Sequence, residues 1–297
     1  MRRILAFWAM LVLVLGARPA GAAPDDRGLL WEVRSARTTV YLLGTLHVGR
    51  EDLYPLPAAV ENAYAAAGTL ALEVDPTQDR PLPPAARAAA FYTSPDTLDR
   101  HLSPALNQNL QEVIEQMGFA GHFPRDMKPA MAAMLLTVIE AGRAGLDPRL
   151  GIDAHLARRA REDGKKIVEL ESATAQLMLL DELGLDNQVA LLAATVEGVR
   201  SGQLGRNIAL LLDAWRRGES DRVMELSRHE LEFLPDEVAA TLRDRFFDER
   251  NRAMAVRIES LLGQDRVVVV AVGAGHMGGP EGLVALLRAR GFAVRQI

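Results

Sequence analysis

Two histidines in this chain stand at the same point of the same local pattern, His47 in VYLLGTLHVG and His276 in VVVVAVGAGHMGG: a β-branched apolar run, then Gly-x-x-His. An imidazole that is neutral near pH 7 can ligate a metal ion or carry a proton. Each of the two is expected just past the carboxyl end of a buried strand, where open α/β sheets collect their ligands. Gly44 and Gly273, three residues earlier, free the backbone to turn sharply and approach a ligand closely. With six histidines and 24 glycines in 297 residues, one Gly-x-x-His arises by chance about half the time. The repeated strand context therefore carries the information. Glu73 in TLALEVD and Glu171 in KIVELES close two further apolar runs. If those strands are parallel and adjacent, both carboxylates share a rim with the histidines. Two imidazoles with one or two carboxylates suit a catalytic divalent metal that keeps a position open for water. Such an ion lowers the pKa of bound water from about 15.7 to about 7, and a spare carboxylate can then act as general base.

Each group also has a plainer reading. A histidine after a strand is often a hydrogen-bonded structural residue. Glu73 can pair with any basic neighbour, and Glu171 can cap a helix beginning near Thr174, sharing that role with Ser172. Only their convergence favours chemistry. Arg243, Arg250 and Arg257 recur every seven residues inside the apolar stripe Leu242, Phe246, Met254, Ile258 and Leu261 of a helix expected from Asp236 to Leu262. A guanidinium facing the core needs a carboxylate or an anionic substrate group, because an unpaired buried charge is strongly destabilising. Snorkelling to solvent serves two of the three, and periodicity does not choose among them. His101, His122 and His229 stand in polar contexts that suit solvated roles, while Asp153, two residues before His155, reads as a helix N-cap. There is no Gly-x-Ser-x-Gly elbow, no cysteine and no His-Glu-x-x-His. That removes the commonest serine-hydrolase pattern, thiol catalysis and the helix-borne zinc-protease motif.

The elements that must position these residues can be read from periodicity. Strands are expected at Thr39–Gly44, Thr69–Val74, Lys166–Leu170, Arg266–Val272 and Ala293–Ile297, with Leu29–Arg34 forming a hairpin across Ser35-Ala36-Arg37. Helical spacing of alanine and leucine marks Leu56–Ala66, Pro104–Met117, Asp126–Ala144 and Asp153–Asp163. From 175 to 262 nothing reads as strand, and Gly184, Gly202, Gly205, Gly218 and Pro235 divide that stretch into about five helices. Pro76–Pro84 reads as an irregular rim or lid beside the site. The expected fold is α/β: a central mixed sheet with strands from both ends of the chain and a large, mostly helical layer inserted between, in a single domain over 23–297.

Arg2 and Arg3 precede an apolar stretch from Ile4 to Leu15 and then Ala20-Gly21-Ala22, the pattern of a signal peptide over residues 1–22 cleaved after Ala22. The stretch is short for a membrane span. A periplasmic or secreted protein is expected, with no stable membrane span after cleavage. With no cysteine for disulfides, stability must come from an apolar core. Loss of the leader leaves 31 basic against 39 acidic residues, a net charge of about −8. That balance argues against nucleic acid as a partner.

Six segments taken in order give the chain a family likeness: YLLGTLHVG, LEVD, RDMKPAMAAMLL, GIDAHLARRAREDGKKIVELES with the adjoining Gln176-Leu177, DERNRAMAVRIESLL, and VVVVAVGAGHMGGPEGLVALLRARGF. The chain resembles the TraB/PrgY/GumN family, which includes the Tiki metalloproteases of animals, and is most similar to its GumN-like secreted bacterial members. The resemblance implies that both Gly-x-x-His motifs act with a glutamate matching Glu73 and an arginine matching Arg250, so it selects one arginine of three. It further implies a scaffold related to erythromycin esterase-like and haem-binding ChaN-like proteins. One departure is Ala130 after Lys128-Pro129, where family members commonly carry tryptophan. The expectation is an exported metal-dependent hydrolase, a peptidase, acting on a peptide or small-molecule substrate. His47, His276 and Glu73 would surround a divalent Mn, Co or Zn ion. Glu171 would be second carboxylate or general base, and Arg250 would orient Glu73 or stabilise an oxyanion. The alternatives are a non-catalytic binder of peptide, haem or metal, and a metal-independent esterase-like hydrolase using His47 as base.

Overall fold

Valine- and leucine-rich runs become strands in this chain because both of their faces are covered. In the computed structural model, which describes residues 26–297 other than 79, 230, 232 and 233, six strands form one mixed sheet. The leader expected at 1–22 lies outside the described residues. β1 (Leu29–Arg34) and β2 (Thr39–Thr45) make the expected hairpin, with Arg34 opposite Thr39. The Ser35 hydroxyl accepts from the amides of Arg37 and Thr38 and so closes the turn. β3 (Thr69–Leu72), β4 (Lys166–Glu169), β5 (Val268–Gly273) and β6 (Ala293–Gln296) complete the sheet, in the order β4-β3-β5-β2-β1-β6. The first four in that order run parallel. Every residue of β5 is buried, as a central parallel strand requires. Its neighbours β2 and β3 come from the opposite end of the chain, so the carboxyl rim joins residues 200 or more positions apart.

The helices are α1 (Ala58–Ala66), α2 (Pro84–Ala90), α3 (Pro104–Gln116), α4 (Pro129–Arg143), α5 (Ile152–Glu162) and α6 (Ala173–Glu182). They continue as α7 (Gly184–Arg200), α8 (Gln203–Arg217), α9 (Ser220–Arg228), α10 (Asp236–Arg243), α11 (Glu249–Leu262) and α12 (Leu283–Ala289). The principal core joins the sheet to α1, α5, α11 and α12. A second cluster lies among α3, α4, α7 and α8, and a third surrounds Leu242 of α10. This is the expected α/β arrangement, with the helical layer between β4 and β5 in the chain. Among the described residues no helix is long and apolar enough to cross a membrane.

Three local expectations change. Gly205 marks no turn: it lies inside α8, where a Cβ would stand 2.8 Å from Glu140 Oε1 of α4, so it serves close helix approach. The helix expected over Asp236–Leu262 is interrupted by a π turn at Asp244–Asp248. A π turn accommodates one extra residue and rotates the downstream helix by about 100°. Arg243 and Arg250 therefore do not share a face: Arg243 is exposed and Arg250 turns inward, while Arg257 is exposed further along α11. His101 is only partly open to solvent: its ring stacks on Tyr92 at 4.3 Å and its Nε2 meets the Asp96 carboxylate at 2.9 Å.

One contact ties the helical layer to the first motif. Trp215 of α8 is buried against the end of β2, and its Nε1 donates to the Gly44 carbonyl at 2.7 Å. Losing that donor leaves a buried carbonyl unpaired, at a cost of about 1–3 kcal/mol. Trp215→Phe should lower the urea midpoint accordingly while preserving the circular dichroism spectrum. An unchanged midpoint would mean that the carbonyl finds another donor.

Candidate active site at the carboxyl rim of the sheet

The loop carrying His47 is held by backbone packed on backbone. Gly49 and Asp147 form an antiparallel bridge, with amide-to-carbonyl distances of 3.0 and 2.7 Å, and the Ile152 amide donates to the Leu46 carbonyl at 2.8 Å. A Cβ on Gly151 would stand 2.5 Å from the His47 carbonyl oxygen, so glycine is required at this crossing. Because Ile152 is thus held at the helix start, the N-cap of α5 is Gly151, two residues before the expected Asp153. Asp153 is therefore not the cap. It lies in the first turn, and its Oδ2 meets His47 Nδ1 at 3.0 Å.

The two glutamates arrive side by side because the chain leaves the regular β3–β4 ladder at the strand ends, where two consecutive amides both turn towards β3. The Leu170 amide donates to the Leu72 carbonyl at 2.7 Å and the Glu171 amide to the Glu73 carbonyl at 2.8 Å. Ser172 alone caps α6, accepting from the Ala175 amide, which leaves Glu171 to face Arg250. The Arg250 guanidinium donates to Glu171 through Nε at 3.0 Å and Nη2 at 2.6 Å. It also reaches Glu73 Oε2 through Nη2 at 2.8 Å and the Phe246 carbonyl through Nη1 at 3.0 Å. Gln176 adds a donor to Glu171 Oε2 at 2.9 Å. The π turn rotates Arg243 off this face, and Arg257, about two turns further along α11, is exposed, so Arg250 alone of the three stands between the two carboxylates. At the first turn of α4, Ala130 is fully buried and lines no open surface.

Gly273 is the centre of the cluster. Its amide donates to Glu73 Oε1. A Cβ built on it would lie 3.1 Å from Glu73 Oε1, 3.2 Å from His47 Nε2 and 3.6 Å from His276 Cδ2. The missing side chain is the space that these three groups share. His276 Nδ1 meets Asn251 Oδ1 at 2.6 Å, and Asn251 Nδ2 donates to the Glu281 carbonyl at 2.7 Å. The second bond fixes which end of the amide faces the imidazole, so His276 Nδ1 carries the proton and Nε2 presents a lone pair. That lone pair stands 3.8 Å from Glu73 Oε1.

The environments of these groups separate their protonation states. Burial strips water from the His276 imidazolium and, with Arg250 nearby, depresses its pKa to about 4. Desolvation alone would raise Glu73, but the charges of His276, His47 and Arg250 and the Gly273 amide hold it down at about 2. For Glu73 the charges of His47 and Arg250 and the Gly273 amide are the decisive causes, since His276 is neutral at pH 7. Crowding opposes protonation of His47, yet the Asp153 carboxylate and then Glu73 prevail and raise it to about 9. With 64 % of the His47 side chain open to solvent, that opposition is weak and the direction set by Asp153 stands. The sequence alone assigns no site role to Asn251 or Asp153. Asn251 has one legible signal, a polar residue in line with the buried Met254 and Ile258 of α11.

His276 gives stability a pH slope of known sign. Unfolded, it takes up a proton near pH 6.5; folded, only near pH 4. Acidification through that interval protonates the unfolded chain first, so stability falls as pH drops, by up to about 3 kcal/mol from this residue. Urea midpoints measured at pH 6.5 and 4.5 should fall more steeply in the wild type than in His276→Gln. Equal slopes in the two proteins would contradict a buried neutral imidazole.

Residues 29–296 match the TraB/PrgY/gumN family. The chain is similar to the uncharacterized protein YbaP of Escherichia coli (strain K12), with 28 % identity over 249 residues covering 84 % of this chain and 87 % of that protein. It is as similar, by the same measures, to YbaP of Shigella flexneri. An uncharacterized protein of Treponema pallidum (strain Nichols) is 23 % identical over 284 residues, covering 93 % of this chain and 84 % of that one. No solved structure matches. With the family match spanning both Gly-x-x-His motifs, Glu73 and Arg250, the chain belongs to the TraB/PrgY/gumN family.

Proposed function

We propose that this chain is an exported hydrolase acting on peptides, with its centre over Gly273 and a divalent metal ion taken up between His47, His276 and Glu73. Export rests on the leader pattern of residues 1–22. The observation that carries the chemical reading is the pair of facing acceptors: the His276 Nε2 lone pair and the anionic Glu73 Oε1, 3.8 Å apart beside a glycine with no side chain. Two acceptors so placed repel unless something electropositive joins them. The donor chemistry also fits a metal ion, because both imidazoles have Nδ1 occupied by an oxygen acceptor and Nε2 left for the centre. Among the described residues no group of three or more histidine or acidic side chains stands in position to hold a metal ion, so His47, His276 and Glu73 would have to close together around an arriving ion.

A divalent ion at such a centre activates water and polarises a carbonyl. The chain's own residues set the stage for it. Arg250 holds Glu73 ionised and aimed over Gly273. Glu171, expected as second carboxylate or general base, has its oxygens committed to Arg250 and Gln176 and so acts as a positioning residue. Phe247, with its ring 5.5 Å from that of His276, shields the inner imidazole from solvent. A second reading, hydrolysis without metal, draws on the His47–Asp153 pair. There the protonated His47 would donate a proton instead of serving as the base.

Mature protein supplied with Mn²⁺, Co²⁺ or Zn²⁺ should cleave members of an internally quenched peptide library. His47→Ala and His276→Ala should each lose about 10³-fold or more in kcat/KM. Equal activity in His47→Ala would remove the metal assignment, and full activity after exhaustive chelation would select the metal-free reading. Uptake of the ion without any turnover would favour a binding protein. Gly273→Ala should stay folded but lose about tenfold or more in both ion affinity and turnover, because its methyl group enters the shared space. Retention of both by a folded Gly273→Ala would show that the centre lies elsewhere.

A further inference from the structure

One polar group on this face has no counterpart in the cluster around Gly273. Thr45 ends β2 directly opposite Gly273 across the parallel β2–β5 ladder. Residues paired across a parallel ladder project to the same face of the sheet. The alternation of β2 agrees: at Gly44, one residue earlier, a Cβ would point to the other face, meeting Leu29, Met277 and Ala274. Thr45 is only 2 % exposed, and its Oγ1 has no hydrogen-bond partner among the described residues. Gly273 is thus flanked by Thr45 from β2 and by Glu73 from the end of β3, with His47 Nε2 above the same bare Cα.

A buried hydroxyl without a partner costs about 1–3 kcal/mol. Valine has the same shape, the same β-branched preference for strands and no such cost. A threonine here is explained if its partner is not part of the protein. We propose that Thr45 is a ligand-contacting residue of this centre, its hydroxyl hydrogen-bonded to a water molecule held over Gly273 between His47 and Glu73. Under the hydrolytic reading, on which the catalytic half of this inference rests, that water is the one delivered to the substrate. Thr45 then fixes its direction while the ionised Glu73 and the two imidazoles govern its charge.

The test compares wild type, Thr45→Val and Thr45→Ser by crystal structure, thermal melting and peptide hydrolysis with Mn²⁺. In the wild-type crystal an ordered water should lie about 2.7–3.2 Å from Thr45 Oγ1, over Gly273, and it should be absent from Thr45→Val. Thr45→Val should melt close to the wild-type temperature, since valine keeps the shape and the water leaves together with the hydroxyl that held it. Its kcat should fall about tenfold with KM little changed, and Thr45→Ser should recover most of that loss. A Thr45 Oγ1 found bonded to a protein atom, or a Thr45→Val with undiminished kcat, would overturn the proposal. If the wild type shows no turnover at all, the hydrolytic reading fails separately. The crystal pair still decides whether Thr45 holds a water.

Discussion

The rim of the sheet is organised by one guanidinium withdrawn from water. Arg250 leaves 15 % of its side chain exposed and could not occupy that position alone, because a charge so placed requires compensation. Compensation comes from two neighbouring strands at once, Glu73 after β3 and Glu171 after β4. Two carboxylates this close would repel one another, and the cation between them makes their proximity tolerable. Once Glu73 is fixed on one oxygen by Arg250 and on the other by the Gly273 amide, its direction is no longer free. The histidines are then arranged around a carboxylate whose position and charge are already set.

That arrangement depends on topology as much as on charge. β5 lies between β3 and β2 although it comes about 200 residues after both, so the centre combines the two ends of the fold with a helix from the inserted layer. Trp215 and Asn251 carry hydrogen bonds from that layer to the two motifs, one at the Gly44 carbonyl and the other at His276 Nδ1. The inner histidine is buried and neutral, whereas the outer one is open to solvent and paired with Asp153. Repetition of a sequence motif has produced two imidazoles of opposite character, because one is buried on a neutral amide and the other is open to solvent beside a carboxylate.

Much of this is legible in the residues themselves. Fully buried parallel strands leave continuous apolar runs, so VVVVAVG and VYLLG can be placed to within a residue or two, and the glycines after them mark the rim. Family resemblance chooses Arg250 from three arginines that periodicity does not separate. Two physical discriminators separate them: the π turn rotates Arg243 off the face that carries Arg250, and Arg257 lies about two turns further along α11, where it is exposed. Asp153 is misread from the sequence because an acidic residue near a helix start serves equally as a cap or as a first-turn residue. The contact that decides between the two is long-range: the Ile152 amide bonds to the Leu46 carbonyl and starts the helix before Asp153. The insertion of β5 between β3 and β2 has no local signature, since pairing partners are chosen by the whole sheet.

The π turn also separates two jobs within one continuous helical rod. Up to Arg243 the rod packs Leu242 and Ala239 into the third apolar cluster, and from Glu249 onward it packs Met254 and Ile258 against the sheet. The extra residue acts as a phase shifter between those segments. It allows the packing of α10 to drift in sequence without turning Arg250 or Asn251 away from the rim. Loss of one residue at this turn would leave every site residue present and yet rotate α10 against α11, unseating either the third cluster or the guanidinium. In this molecule the length of Asp244–Asp248 carries as much information as its composition.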